Sequence, residues 1–282
     1  MRRSFIHCLA VFLFLQGGIN CVLLAQSSYK EIEVQGGGTI RGCVRLRGNY
    51  SATASFEVTK DPKYCGKKKA YPRLTIGKNK GVKNAIVCLE GITQGKRFSA
   101  PANTAVLNQS KCEYGPHITI LPKNTNLKIV NNDPILHNVH AYSLATASRS
   151  MFNIAQPIRG QCTTIKQKQL GNSGLILTTC DAGHPWMSAY IMVTEHPYVV
   201  VTDENGKFEM DDIPTGTYKL SMWHEGVAIT STETEAGKVK KYCYEDPYEE
   251  TKEVTVPANS TVDIDFDMTL RESSPTPLTE KK

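Results

Sequence analysis

Hydrophobic and polar positions alternate along this chain in short runs, and those runs predict strands. Stretches rich in Val, Ile, Thr and Tyr recur at 38–46, 82–89, 117–121, 127–130, 189–193, 198–202, 207–210, 217–223 and 262–269. Gly, Pro, Asn and Asp separate them, the punctuation of strands and turns. No stretch carries the i, i+3, i+4 apolar stripe of a long amphipathic helix. Strand after strand with turn residues between them predicts an all-β chain of packed sandwiches. Asp203-Glu204-Asn205-Gly206 is predicted to close a hairpin, with the glycine free to take positive φ, and Pro214-Thr215-Gly216 to turn the chain into the strand over 217–223. Residues 99–103, SAPAN, read as a linker, and His196-Pro197 marks a second joint.

The two ends read differently. Residues 1–25 carry Arg2 and Arg3, an apolar run over 5–15, a break at Gln16-Gly17-Gly18, and the small residue Ala25 before Gln26. This is the pattern of an export signal, cleaved or kept as an anchor. Residues 271–282, RESSPTPLTEKK, form a polar tail with nothing to bury. The chain is thus expected outside the cytoplasm, in the periplasm or cell envelope.

Composition excludes several classes. With 40% hydrophobic and 21% charged residues the chain is not globally disordered. Beyond the leader no apolar run approaches the roughly 20 residues of a membrane helix, so no integral span is expected in the mature chain. The net charge of +6 is spread along the sequence, without the concentrated basic patch of a nucleic-acid binder. Of nine cysteines, Cys8 and Cys21 fall in the leader, which leaves the odd number of seven. An odd cysteine in an exported chain invites a separate task. If Cys180 has that task, Cys43, Cys65, Cys88, Cys112, Cys162 and Cys243 can form up to three disulfides, in a pairing that stays open.

The chemistry concentrates in Cys180-Asp181-Ala182-Gly183-His184-Pro185-Trp186-Met187. A thiolate, an imidazole and a thioether on one loop, joined by a second imidazole from elsewhere, make the donor set that suits copper in electron transfer. Upstream stands Asn131-Asn132-Asp133-Pro134-Ile135-Leu136-His137-Asn138-Val139. The stretch over 114–139, YGPHITILPKNTNLKIVNNDPILHNV, together with the Cys-His-Met loop, resembles the plastocyanin and amicyanin group of cupredoxins. The resemblance covers roughly 104–194. It implies a Greek-key β-sandwich with one type 1 copper held by His137, Cys180, His184 and a long axial Met187, and Asn138 tethering the ligand loop. It also implies a redox partner protein, with Pro185 and Trp186 as an apolar docking rim beside an exposed His184 edge. The ligand loop is C-x3-H-x2-M, which matches neither the two-residue nor the four-residue Cys–His spacing of that group. Gly183 supplies the freedom for the tighter path.

The remaining histidines read as less involved. His140 lies three residues beyond His137, which on one strand points it to the opposite face. His117 is expected to face water. His196 sits in a turn, and His224 leaves a strand in Trp223-His224-Glu225.

Residues 198–227, YVVVTDENGKFEMDDIPTGTYKLSMWHEGV, resemble the carboxypeptidase-regulatory-like, transthyretin-like β-sandwich, as do the pieces GTIRGCVRL and VKNAIVCLE. The expected organisation is a leader over 1–25, an N-terminal β region over 30–98, a cupredoxin over 99–195, a regulatory-like sandwich over 196–270 and the tail. The two sandwiches stand in series or interleaved. Interleaving is favoured because 198–270 has few strands for a closed sandwich.

The expected function is a non-enzymatic copper electron carrier. Three rivals stand beside it: a structural or adhesion protein with a vestigial site, a copper-delivery protein, and an enzyme using a second metal at His117, His140 or His224.

Overall fold

In the computed structural model of the chain, the strand Ile86–Glu90 buries apolar side chains on both faces: Val87 and Leu89 on one, Ile86 and Cys88 on the other. The same holds for Ser188–Thr194, where Ala189, Ile191 and Val193 face one core and Tyr190 and Met192 another. Strands that read as nearly continuous apolar runs lie between two covered faces. These two belong to the inner sheets of a four-layer stack. The structure describes residues 29–48, 55–70, 73–98, 104–146, 148–171 and 174–271. The expected leader, the 99–103 linker and the tail beyond Arg271 lie outside the described residues.

The first outer sheet runs in the order Cys162–Ile165, Asn126–Asn131, Thr104–Ser110, Glu113–Gly115. Against it packs a five-stranded sheet in the order Arg149–Gln156, His137–Ser143, Gly174–Thr179, Ser188–Thr194, Ile118–Pro122. Leu107, Leu121, Leu127, Ile129, Val139 and Ile191 fill the space between them. Two of the pairings are parallel, Asn126–Asn131 with Thr104–Ser110 and Ser188–Thr194 with Ile118–Pro122, so the chain crosses between sheets.

The second sandwich draws strands from both sides of the first. Its inner sheet runs Val199–Val201, Ile86–Glu90, Gly216–His224, Tyr248–Val256. Its outer sheet sets Gly38–Arg47 between Lys207–Ile213 and the successive segments Thr261–Asp263 and Phe266–Thr269. Gly38–Arg47 alternates as a half-buried strand should. Ile40, Val44 and Leu46 face the core, while Arg41, Arg45 and Arg47 pair outside with Asp263, Asp265 and Asp267.

Ile118, Leu175, Tyr190 and Met192 of the first sandwich meet Ile86, Cys88, Val199 and Trp223 of the second in a third apolar layer. This contact fastens the two sandwiches face to face.

The 203–206 turn departs from expectation. It has the expected local form: Gly206 takes φ 75° and its N–H donates to the Asp203 carbonyl at 3.0 Å. It does not close a hairpin, however, because Val199–Val201 and Lys207–Ile213 lie in opposite sheets. Here the turn is a corner, gripped by the Val44 N–H on the Gly206 carbonyl and by the close approach of Gly81.

The segment over 55–70 crosses one end of the first sandwich. Phe56 packs on Tyr242 with ring centroids 4.6 Å apart, and Phe56, Val58 and Cys65 enter the first core. Pro62–Cys65 is the α-helix of the described residues. Tyr242 comes from a solvent-exposed hairpin, Ile229–Glu235 with Lys238–Tyr244, which returns from the second sandwich to the first.

Candidate metal centre

Asn131 ends a strand, and its side chain builds the turn that follows. Its Nδ2 donates to the carbonyls of Ile135 at 2.9 Å and Gln156 at 2.7 Å, while its Oδ1 accepts the Asp133 N–H at 2.9 Å. Such an Asx turn fixes the backbone locally. It places Asp133 four residues before His137, which opens the next strand. Asp133 Oδ2 accepts the His137 Nε2–H at 2.8 Å, with both side chains essentially sealed from solvent. The same carboxylate accepts the N–H groups of Lys111 and Cys112 and the Tyr64 hydroxyl. Burial works to raise the Asp133 carboxyl, but these donors outweigh it and leave it below the usual carboxylate range.

Cys180 follows the strand Gly174–Thr179 and is 2% exposed. Burial pushes its thiol up, against the N–H groups of Asn138 and Ala182 that favour the thiolate. Gly183 takes φ 95°, and a Cβ there would meet Lys60 Cδ at 2.6 Å, so the three-residue path to His184 depends on glycine. His184 Nδ1 then lies 3.6 Å from Cys180 Sγ. Its Nε2–H donates to Asp61 Oδ2 at 3.1 Å. Burial, and then the neighbouring His137, lower the His184 imidazole to about 4. The His137 and His184 ring centroids stand 4.7 Å apart.

Ligand atoms of His137, Cys180 and His184 all lie within 4.8 Å of one another, and all three residues are buried. With each Nε2–H given to a carboxylate, the Nδ1 lone pairs are left to face inward. The Nδ1 of His137 is buried with no partner. A buried polar atom without a partner is costly unless something else takes it. One thiolate and two outward-anchored imidazoles are a donor set that fits copper.

The other expected residues distribute as follows. Met187 is 1% exposed on the turn that leaves the site, its N–H donating to the His184 carbonyl at 2.9 Å. Asn138 Oδ1 accepts the Ala182 N–H at 2.8 Å, a direct tie between the His137 strand and the ligand loop. His140 points away and pairs with Asp181 at 2.5 Å.

The docking rim is not where the resemblance put it. His184 is fully buried because Asp61 and the helix Pro62–Cys65 cover its outer edge. Trp186 is also buried, its Nε1–H donating to the Cys112 carbonyl at 2.9 Å, and Pro185 is half-buried.

His117 likewise does not face water. It pairs with Glu225, whose other oxygen lies 2.5 Å from Arg73 Nη1. His224 is buried beside them, its Nδ1–H donating to the Glu225 carbonyl at 2.8 Å. His117 comes from the first sandwich and His224-Glu225 from the second, so this cluster is an ionic joint between the two. Among the described residues, no trio of His, Cys, Asp or Glu ligand atoms gathered within 4.8 Å includes His117, His140 or His224.

The cysteines differ from the fullest pairing that the sequence allows. Cys65 and Cys112 form a disulfide, Cys88 is also disulfide-bonded, and Cys43, Cys162, Cys180 and Cys243 are free thiols. Asp61, Asp133 and the Cys65–Cys112 bridge are the parts of the site that sequence reasoning missed. Asp133 had a signal, its i, i+4 spacing to His137 in Asn-Asn-Asp-Pro-x-x-His. Asp61, 123 residues from His184, had none.

A family model described as polysaccharide lyase family 4, domain II, matches residues 172–264. It is a different β-sandwich description from the regulatory-like module that 198–227 resembles. No curated protein sequence significantly matches the chain. Among solved structures the chain is similar to amicyanin from Paracoccus versutus, at 19% identity over 34% of this chain and 85% of that one, with a TM-score of 0.28. It is similar to a purple cupredoxin from Nitrosopumilus maritimus, at 18% identity over 32% of this chain and 99% of that one, TM-score 0.27. A third is a copper-containing nitrite reductase from Thermus scotoductus, at 19% identity over 36% of this chain and 26% of that one, TM-score 0.27.

Proposed function

We propose that this chain is an exported protein in which His137, Cys180 and His184 would hold one copper ion, with Met187 of the same loop as a further donor, and that it passes single electrons to a partner protein. The observation that carries the reading is the convergence of the three donors in a sealed pocket, with both Nε2–H groups anchored on carboxylates and His137 Nδ1 left without a partner. Copper bound there supplies a one-electron couple. The chain does the rest. Asp133 and Asp61 fix the tautomer and orientation of each imidazole. Asn138 ties the ligand loop to the neighbouring strand. The apolar core around Met187 and Trp186 excludes water.

A second reading, copper holding and delivery, draws support from the cover over His184. A carrier needs an edge through which electrons leave, and the family's usual edge lies here beneath Asp61 and Pro62–Cys65. Voltammetry of the copper-loaded chain, combined with its exchange rate against a small soluble redox protein, separates the two. A reversible couple with fast exchange supports the carrier. Negligible exchange with ready loss of Cu(I) to a chelator supports delivery.

A further inference from the structure

The Cys65–Cys112 disulfide lies directly against the site. Its two sulfurs and a ring nitrogen of His184 lie within 4.8 Å of one another, and Cys112 Sγ forms a second such trio with Asp133 and His137. Both cysteines are buried, at 5% and 0% exposure. They are also tied to the carboxylates that anchor the imidazoles. The Cys112 N–H donates to Asp133 Oδ2, the oxygen that accepts His137 Nε2–H. The Cys65 N–H donates to the carbonyl of Asp61, whose side chain accepts His184 Nε2–H.

We propose that Cys65 and Cys112, once reduced, form with His184 a soft-metal site for monovalent copper that overlaps the His137–Cys180–His184 set. It goes beyond the function proposed above because it needs no thiolate from Cys180. Two electrons and two protons from a dithiol reductant cleave the Sγ–Sγ bond and leave two thiols, while the reductant becomes a disulfide. The cation then displaces the two thiol protons to solvent. Two thiolates and an imidazole form a soft set that favours Cu(I). Two buried thiolates left bare would be costly, so the cation stabilises the reduced form.

The sulfurs stay near each other without their covalent bond. The Tyr64 hydroxyl still donates to Asp133 at 2.8 Å, and Phe56 still packs on Tyr242, so the 55–70 segment remains seated over the site. His184 belongs to both donor sets. Thiol chemistry at this bridge therefore decides which set competes better for the ion.

The test uses a Cys180→Ser chain titrated anaerobically with Cu(I) against a competing chelator, before and after reduction and removal of the reductant. The expected result is no Cu(I) retained with the disulfide intact and one per chain after reduction, with two sulfur neighbours by X-ray absorption. Reduction also opens the bridge made by Cys88. The assignment therefore rests on a Cys65→Ser, Cys180→Ser double variant, which must lose the ion. The proposal is overturned if reduction leaves Cu(I) retention unchanged, if the double variant keeps the ion, or if near-ultraviolet circular dichroism shows that reduction unfolds the chain. The visible band of the disulfide-intact wild type tests the Cys180 site separately, so either site can fail alone.

Discussion

At the scale of single residues, the site is a set of donors and the carboxylates that aim them. Asp133 is the more consequential of the two carboxylates because it is sealed and accepts four donors, His137 among them. Asp133→Asn removes the charge and keeps the shape. Partners of this kind alter metal affinity by roughly 10–100-fold when changed. We expect Asp133→Asn to weaken Cu(II) binding by about that factor, with a smaller effect on Cu(I), and so to raise the reduction potential. Equal losses for both oxidation states in a competitive titration would contradict this. Asp61→Ala should instead open the outer edge of His184, 0% exposed as it stands, and speed electron exchange with a soluble partner, which stopped-flow mixing measures. The Cys-His-Met loop and His137 were legible in sequence, since their chemistry and order carry the information. Asp61 and the disulfide were not, because their closeness to the site is made by tertiary packing across many residues.

At the scale of elements, strands are legible in sequence where alternation or turn residues mark them, as at 38–46 and 217–223. Arg149–Gln156 and the hairpin Ile229–Glu235 with Lys238–Tyr244 are less legible. The hairpin is largely exposed and reaches the first core through Ile229, Val239, Tyr242 and Tyr244, so its strand pattern is weak. The 203–206 turn shows the same limit. Its residues specify a tight reversal, but which sheet the next strand joins is decided by what approaches the turn. Gly81 is the residue that allows the approach: a Cβ there would lie 1.7 Å from the Asn205 carbonyl oxygen. Gly81→Ala should therefore cost on the order of 1–3 kcal/mol, as forced overpacking does. A thermal melt with unchanged Tm would show that the corner is not held as described.

At the scale of the whole molecule, two sandwiches share one apolar layer and one ionic joint. Glu225 is the centre of that joint. Burial works to raise its carboxyl, but Arg73 first, then His117, hold it down to about 2 from an ordinary 4.5. A carboxyl with a depressed folded value contributes stability that is fully present above 4.5 and is lost as pH falls towards 2. Glu225→Gln removes the buried carboxylate that pairs with Arg73 and His117, and breaking a buried ion pair typically costs roughly 3–5 kcal/mol. Denaturant melts should show the wild type well above the variant at neutral pH, with the gap narrowing as pH falls from about 5 towards 2. A gap that does not change with pH would mean that Glu225 acts through packing alone.

We propose that His137, Cys180 and His184 hold one copper. This is tested most directly by the absorption spectrum of the oxidised, copper-loaded, disulfide-intact chain, with copper counted per chain and Cys180→Ser run alongside. We predict one copper per chain and an intense visible thiolate-to-copper band that the variant lacks. No bound copper in the wild type, or an unchanged band in Cys180→Ser, would contradict the account.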